Sequence, residues 1–212
     1  MNMMRFTTMK TKLRKYPSIF LILLLAISSC FLTGCVNQHP KDSKKSSQGE
    51  SVETMLEITD PKEKQAVLNA KAKVKALSGN PRIVATSPAV ADICDKLDLD
   101  LVGVPKSSVS KIPSRYKKVK KVGLAMSPDM EIVSSLNPDW ILAPSSLETD
   151  LKPKFEELKN TEYAFLNLRS VQGMYRSVQE LGEIFGKQQE AEKMTKEFTT
   201  FYKSYTKRNK NK

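Results

Sequence analysis

Few residues in this sequence are of the types that carry out catalysis or bind metal ions. His39 is the only histidine among the 212 residues, which excludes zinc sites built from clusters of histidine and cysteine. Neither a Gly-x-Ser-x-Gly elbow nor a glycine-rich phosphate loop occurs. Asp92, Asp129 and Asp139 stand at predicted helix starts or loop edges, where capping is their simpler role. The sequence therefore predicts a protein that is not an enzyme.

Cys35 has the most definite chemistry, because of the residues that precede it. Residues 1–15 contain five basic residues and no acidic one, residues 19–27 are apolar, and Leu32-Thr-Gly-Cys follows. This order is typical of a secretory signal peptide, and its apolar run is shorter than the ~20 residues needed to cross a bilayer. The last four residues resemble the bacterial lipobox. We expect cleavage after residue 34, acylation of the Cys35 thiol and a lipid anchor on the extracellular face of the cell membrane. An ordinary signal peptide with a chance cysteine, or lipidation of Cys30, is the alternative.

The net charge of the full chain is +12, and five of its basic residues lie in the predicted signal peptide. The processed chain would keep a charge of about +7, much of it in residues 41–45 and 203–212. Such basic tails suit a chain close to anionic lipid or wall polymer, or they are solvated ends without a partner. An exported lipoprotein has no nucleic-acid partner. Cys94 would be the only unmodified cysteine left, which excludes a disulfide, and its surroundings predict a buried helix position.

Residues 35–80 predict a lipidated N-terminus, a spacer and one short helix. The spacer, residues 36–51, is rich in serine, lysine and glutamine. Residues 62–77 carry apolar side chains at helical spacing and end before a Ser-Gly-Asn-Pro stop. This helix either packs on the following domain or lies beside it.

From residue 81 to residue 186, short apolar runs alternate with amphipathic segments, which predicts an α/β lobe with a parallel sheet. The predicted strands are 83–85, 101–104, 140–142 and 163–166, and the predicted helices are 89–97, 130–136, 151–158 and 171–185. Residues 187–212 predict a long helix, from 187 to about 206, and a basic tail. We expect its apolar stripe of Ala191, Met194 and Phe198 to be exposed and to promote association.

Four motifs in this lobe carry a resemblance to a known family. They are Arg82-Ile-Val-Ala-Thr, Asp100-Leu-Val-Gly-Val, Val122-Gly-Leu-Ala-Met-Ser-Pro-Asp-Met-Glu-Ile and Leu136-Asn-Pro-Asp-Trp-Ile-Leu. In this order they resemble the substrate-binding lipoproteins of ABC importers for metal chelates. The Gly-x-x-Met-Ser-Pro stretch and Gly173-Met-Tyr-Arg-Ser are similar, more narrowly, to the haem-binding lipoproteins of Gram-positive iron-regulated surface systems. The resemblance implies a single Rossmann-like lobe of a class III (helical-backbone) periplasmic binding protein, followed by the start of the long bridging helix.

The resemblance also implies a binding site. In the haem-binding group, a methionine of the N-terminal lobe and a histidine of the C-terminal lobe hold the haem iron. Met126 stands at the methionine position, where its thioether would be a soft, neutral ligand; the alternative is a flexible core filler. The haem propionates would be bound by a loop and by the N–H groups of a helix start, or else these residues only cap and turn the chain. The residues concerned are Ser107 and Ser108 in the loop, and Thr86, Ser87, Pro88 and Ala89 at the helix start.

Family members continue beyond the bridging helix into a second α/β lobe. We therefore expect this chain to lack the C-terminal lobe and to bind haem weakly, while its partners would be the permease and ATPase subunits of an ABC importer. The alternative ligands are a ferric siderophore or cobalamin. A further alternative is a surface lipoprotein that binds no small ligand.

Overall fold

The computed structural model describes residues 5, 6 and 56–209. Apart from residues 5 and 6, the predicted signal peptide lies outside the described residues, as do Cys35, His39 and the predicted spacer. The described residues belong to one unit, formed by Met1–Thr8 and Glu50–Lys212. Within residues 56–209, no helix is both long and apolar enough to cross a membrane.

Within the described residues, six strands form a largely parallel sheet and two more form a separate hairpin. In chain order they are β1 (Arg5–Phe6), β2 (Ile83–Ala85), β3 (Leu101–Val104), β4 (Lys120–Lys121), β5 (Gly123–Leu124), β6 (Ser127–Pro128), β7 (Trp140–Pro144) and β8 (Glu162–Leu166). The sheet order is β1-β8-β7-β2-β3-β4, and every neighbouring pair is parallel except β1 with β8. Strands β5 and β6 pair antiparallel as the hairpin.

Of the six helices in the described part of the chain, four begin at a residue whose side chain caps the first turn. The six helices are α1 (Pro61–Lys75), α2 (Pro88–Lys96), α3 (Met130–Ser135), α4 (Glu148–Glu156), α5 (Val171–Phe185) and α6 (Gln188–Asn209), with short 3-10 turns at Ser114–Tyr116 and Ser145–Leu147. The side chains of Asp60, Ser87, Asp129 and Ser170 accept main-chain N–H groups at the first turns of α1, α2, α3 and α5. Gly186 ends α5 in the left-handed conformation, with φ of 71°, which favours glycine.

The core lies on both faces of the sheet, because alternate residues of each strand point to opposite faces. On one face, Ile83, Leu142 and Leu166 pack in a cluster with residues of α1, α2, α5 and α6. On the other face, Ile141 and Phe165 pack in a second cluster with residues of α3 and α4. The predicted α/β architecture is therefore confirmed. Strand β7 is buried along its whole length, as expected of a parallel strand covered on both faces.

Three elements of the sheet region were not predicted from the sequence. Strand β4 consists of two exposed lysines, and the hairpin strands are also two residues long, so neither gives an apolar alternation. Strand β1 comes from the predicted signal peptide and extends the sheet beside β8. Removal of residues 1–34 would leave β8 as an edge strand. The signal peptide itself stays a prediction.

Helix α1 packs on the lobe rather than lying beside it. Its Val67 and Ala70 are buried in the core. Lys71 Nζ lies 2.7 Å from a carboxylate oxygen of Glu183 on α5, and Lys73 Nζ lies 2.5 Å from Glu162 at the start of β8. Helix α1 is therefore attached to both α5 and the sheet.

The exposure predicted for the apolar stripe of α6 is wrong. Ala191 is buried, Met194 packs against the core, and the Phe198 ring stacks on Tyr175 with a centroid separation of 4.5 Å. The reason is that Gly186 turns the chain so that α6 folds back along α5. The exposed aromatic residues lie nearer the C-terminal end of α6, at Phe201 and Tyr205.

Candidate functional site

The residues predicted to bind ligand lie after the carboxyl ends of neighbouring strands. Thr86 follows β2, the loop containing Ser107 follows β3, and the hairpin containing Met126 follows β4. Because β2, β3 and β4 are parallel, these segments begin at the same edge of the sheet. This edge is where open α/β sheets bind their ligands.

Met126 occupies the tip of the β5–β6 hairpin. It forms the turn with Ala125, and 74% of its surface is exposed, as is 58% of Leu124 on the same hairpin. The alternative in which Met126 fills the core is therefore wrong. An exposed thioether on a short hairpin is available to a ligand.

Gly123 and Asp129 fix the base of this hairpin. Gly123 has φ of 93°, and a Cβ added there would lie 2.8 Å from the main-chain nitrogen of Asp129. Asp129 Oδ1 accepts hydrogen bonds at 3.1 Å from the main-chain N–H groups of Glu131 and Ile132. The hairpin is therefore joined directly to the first turn of α3, and the position of Met126 follows from both.

The loop with Ser107 and Ser108 lies against the hairpin. The main-chain N–H of Lys106 donates a hydrogen bond of 2.6 Å to the carbonyl oxygen of Gly123. The Ser107 hydroxyl accepts from the Ser110 N–H at 3.0 Å, so it stabilises the turn, while Ser108 is exposed. The structure thus brings this loop and Met126 together.

The helix start after β2 has a structural role. Thr86 and Ser87 are both buried. The Thr86 hydroxyl donates to the carbonyl oxygen of Leu142 at 3.3 Å, and the Ser87 hydroxyl accepts from the N–H of Val90 at 3.3 Å. Both hydroxyls are therefore already engaged within the lobe. Pro88 is half-buried and Ala89 is exposed, and propionate binding by this segment stays a prediction.

The chemistry of the Met126 thioether bears on whether free iron or chelated iron could bind beside the hairpin. Among the described residues, no group of three or more His, Cys, Asp or Glu side chains could hold a metal ion. A free ferric ion prefers several hard or charged ligands, whereas a thioether is a soft, neutral donor. Met126 is therefore suited to complete the coordination of iron that a macrocycle already holds.

Cys94 is buried in the core, as predicted, and burial raises the pKa of its thiol to about 12. A thiol that stays protonated is neither a nucleophile nor a metal ligand. Cys94 therefore contributes to packing rather than to chemistry.

A buried charged cluster between α1 and α5 was missed by sequence reasoning. Arg176 Nη2 lies 3.2 Å from Glu63 Oε2, with both side chains nearly inaccessible. Glu180 is fully buried beside them. The pKa of Glu180 is raised to about 9, mainly by burial and also by the neighbouring Glu63, while Arg176 opposes the rise. The spacing of Arg176 and Glu180 on the apolar face of α5 was the available signal.

Comparison with known proteins covers the lobe and α6. A protein-family model described as "Periplasmic binding protein" matches residues 83–212. The high-affinity heme uptake system protein IsdE of Staphylococcus aureus (strain Newman) is 36% identical over 117 residues, which are 55% of this chain and 39% of that protein.

Two crystal structures are also similar. An ABC transporter substrate-binding protein from Listeria monocytogenes EGD-e has 44% sequence identity and a TM-score of 0.55. S. aureus IsdE complexed with heme has 34% identity and a TM-score of 0.54. Each match covers 57% of this chain and 46% of the other. The chain therefore spans less than half the length of these relatives.

Proposed function

Since this chain belongs to the periplasmic binding protein family, we propose that it is the substrate-binding component of an ABC importer for haem. The observation that carries the proposal is the exposed thioether of Met126 on a hairpin fixed at the carboxyl edge of the sheet. The similarity to a heme uptake protein and to a heme-bound crystal structure supports haem as the chelate. The relatives bind and deliver substrates, so the role is recognition rather than catalysis.

In the proposed complex, haem lies against the hairpin. Met126 donates its sulfur to the iron, and Leu124, exposed on the same hairpin, contacts the apolar macrocycle. The propionates lie toward the loop of Ser107 and Ser108, where the exposed position of Ser108 lets them stay partly hydrated. The first turn of α2 provides a second place for a carboxylate, at the N–H of Ala89, because Pro88 has no N–H and that of Val90 bonds to Ser87.

Titration with haemin, followed through the Soret band, tests this proposal. Met126→Leu keeps the apolar volume of the side chain but removes the sulfur. We expect it to weaken haemin binding at least about tenfold, the equivalent of ~1.4 kcal/mol, and to change the position of the bound Soret band. Met130→Leu is the matched control, because Met130 is half-buried on α3 and packs against the core.

The same titration separates the alternative ligands. Equal haemin binding by the wild type, Met126→Leu and Met130→Leu would contradict the role of Met126. Ferric siderophores and cobalamin, followed through the fluorescence of Trp140, complete the panel. A fully chelated ferric siderophore has no open iron position for the thioether, so tight siderophore binding that Met126→Leu does not alter would favour that ligand over haem.

The proposed partners are the permease and ATPase subunits of the importer, and the proposed location is the extracellular face of the cell membrane, with the chain anchored through lipid on Cys35.

A further inference from the structure

The positive charge of the described domain is concentrated in one segment. Residues 105–121 contain seven basic residues and no acidic one. The rest of residues 56–209 contains 18 basic and 20 acidic residues and is therefore slightly negative. The excess of positive charge therefore belongs to residues 105–121 and not to the domain as a whole.

The segment is held at the side of the sheet. It runs from the end of β3, through the 3-10 turn Ser114–Tyr116, to β4, which is the last strand in the sheet order. Tyr116 is buried, and its hydroxyl donates a hydrogen bond of 2.5 Å to the carbonyl oxygen of Leu99. The turn is therefore anchored, and its charges face outward from a fixed base.

Six lysines of this segment are exposed and have no ion pair within the part of the chain that the structure describes. Only Arg115 is neutralised locally, by Asp98 and Asp100 at 2.8 and 2.7 Å. Elsewhere in the domain Lys71, Lys73 and Lys187 each pair with a carboxylate. We call the six lysines the lysine surface: Lys106, Lys111, Lys117, Lys118, Lys120 and Lys121.

Protection of the outermost strand, β4, against pairing with another chain explains only part of the lysine surface. Exposed lysines on an edge strand prevent pairing with another chain, which accounts for Lys120 and Lys121 on β4. It does not account for the other four. Protection of β4 also does not explain why Val109 is 95% exposed. Val109 lies between Lys106 and Lys111 in the sequence.

We propose that the lysine surface docks on acidic phospholipid headgroups, with Val109 entering the interface between headgroups and acyl chains. Lysines close to an anionic leaflet are attracted to it, and an exposed apolar side chain flanked in sequence by lysines is a combination that interfacial segments use. A soluble acidic polymer or protein would satisfy the charges but would leave Val109 without a role. The proposal is independent of the ligand that the lobe carries.

Lysine footprinting on vesicles tests the proposal with the full 212-residue chain. Because other segments could hold the chain on any vesicle, the readout is the acetylation of each lysine by a water-soluble reagent, measured by mass spectrometry. We expect the lysine surface to be acetylated at least fivefold more slowly on phosphatidylcholine vesicles that contain phosphatidylglycerol than on phosphatidylcholine alone. The protection should disappear in high salt, because exposed charges are then screened.

Two sets of variants sharpen the result. Replacing four lysines of the surface by glutamine should abolish the protection of Lys106 and Lys111, whereas the same loss of charge at four exposed lysines elsewhere should not. The surface set is Lys117→Gln, Lys118→Gln, Lys120→Gln and Lys121→Gln, and the control set is Lys62→Gln, Lys64→Gln, Lys159→Gln and Lys193→Gln. Circular dichroism verifies that both sets are folded.

Val109→Asn, which removes the apolar side chain without adding charge, separates a bilayer from a soluble polyanion. It should reduce protection on the acidic vesicles at least threefold and leave protection by soluble polyphosphate unchanged. Equal protection on neutral and acidic vesicles would overturn the proposal. So would protection by polyphosphate that matches that of the vesicles and is equally affected by Val109→Asn, because Val109 would then have no role specific to a bilayer.

Discussion

Met126 depends for its position on a residue without a side chain. Gly123 adopts φ of 93° where its backbone approaches Asp129, a conformation that costs other residues free energy. We expect Gly123→Ala to lower the free energy of unfolding by about 1–3 kcal/mol and to weaken haemin binding, because the hairpin must move away from α3. Urea unfolding and the haemin titration measure the two effects.

Gly79→Ala is the control for this substitution. Gly79 follows α1, and a Cβ added there meets nothing within 4 Å, so stability should change by less than about 0.5 kcal/mol. If both glycine variants unfold at the same urea concentration, the hairpin is not held by the close approach of Gly123 to Asp129.

Glu180 should make the domain less stable as the pH rises. Its ordinary pKa is near 4.5 and burial raises the pKa to about 9 in the folded state. Between these two pH values the folded state keeps a proton that the unfolded state has released, so the free energy of unfolding falls by up to about 1.4 kcal/mol per pH unit. Glu180→Gln should remove most of this fall between pH 5 and 8, as measured by urea unfolding at several pH values.

Glu183 on the same helix provides the opposite case. Its hydrogen bond to Lys71 lowers the pKa of the Glu183 carboxyl, so its stabilisation is present above the ordinary pKa and is lost as the pH falls below it. Glu183→Gln should therefore leave unchanged the fall in the free energy of unfolding between pH 5 and 8. If Glu180→Gln shows the same fall as the wild type in this pH range, a group other than Glu180 causes it.

The roles of single residues were predicted well where they depend only on neighbouring residues in the sequence. The Ser87-Pro88 pair begins α2, and Asp129 caps α3, because capping needs only the adjacent residues. The buried state of Glu180 depends on Glu63 and Arg176 coming together between two helices that are far apart in sequence. The spacing of Arg176 and Glu180 on α5 is visible in the local sequence, but their meeting with Glu63 of α1 is not.

At the scale of the elements, the α5–α6 pair differs most from what the sequence predicts. A helical stripe in the sequence marks a buried face but does not say which neighbour buries it. We expected the stripe with Phe198 to be exposed, yet it packs on α5 because Gly186 reverses the chain. The bounds of the four strands β2, β3, β7 and β8 were predicted well, since each is a short apolar run between turn residues.

Replacement of aromatic residues along α6 tests this packing. Phe198→Ala should lower the free energy of unfolding by about 1–2 kcal/mol, through lost burial and the lost stack on Tyr175. Phe201→Ala, one turn further along, should change it by less than about 0.5 kcal/mol because Phe201 is 62% exposed. Equal losses in the two variants, measured by urea unfolding, would contradict the arrangement of α6 on α5.

At the scale of the whole molecule, the sheet order places the predicted ligand loops at one edge. The sequence predicted which segments follow strands, and the parallel order then places Met126 and the loop of Ser107 together. Their contact goes through the main chain of Lys106 and Gly123, which side-chain patterns cannot reveal. The two-residue hairpin strands were too short to be recognised in advance.

The proposed anchor also belongs to this scale, since it determines where the domain acts. Cys35→Ser removes the thiol that would carry the lipid and should release the chain from the membrane fraction into the medium or leave it unprocessed. Labelling of cells with a palmitate analogue should mark the wild type and not the variant. Equal labelling of both would exclude Cys35 as the lipidated residue and direct attention to Cys30.

The packing of α6 on α5 has a consequence for how the domain is made. Ala191 and Met194 belong to the same cluster as Leu181 and Ile184 of α5, and the two helices approach so closely that a Cβ added at Gly182 would lie 2.6 Å from the Cβ of Ala191. A ribosome releases the chain from its N-terminus, so this apolar face of α5 stays uncovered until residue 194 has emerged. During vectorial synthesis, this face of α5 therefore remains open to chaperones until α6 covers it. An unfolded chain is also the form that the proposed export would require.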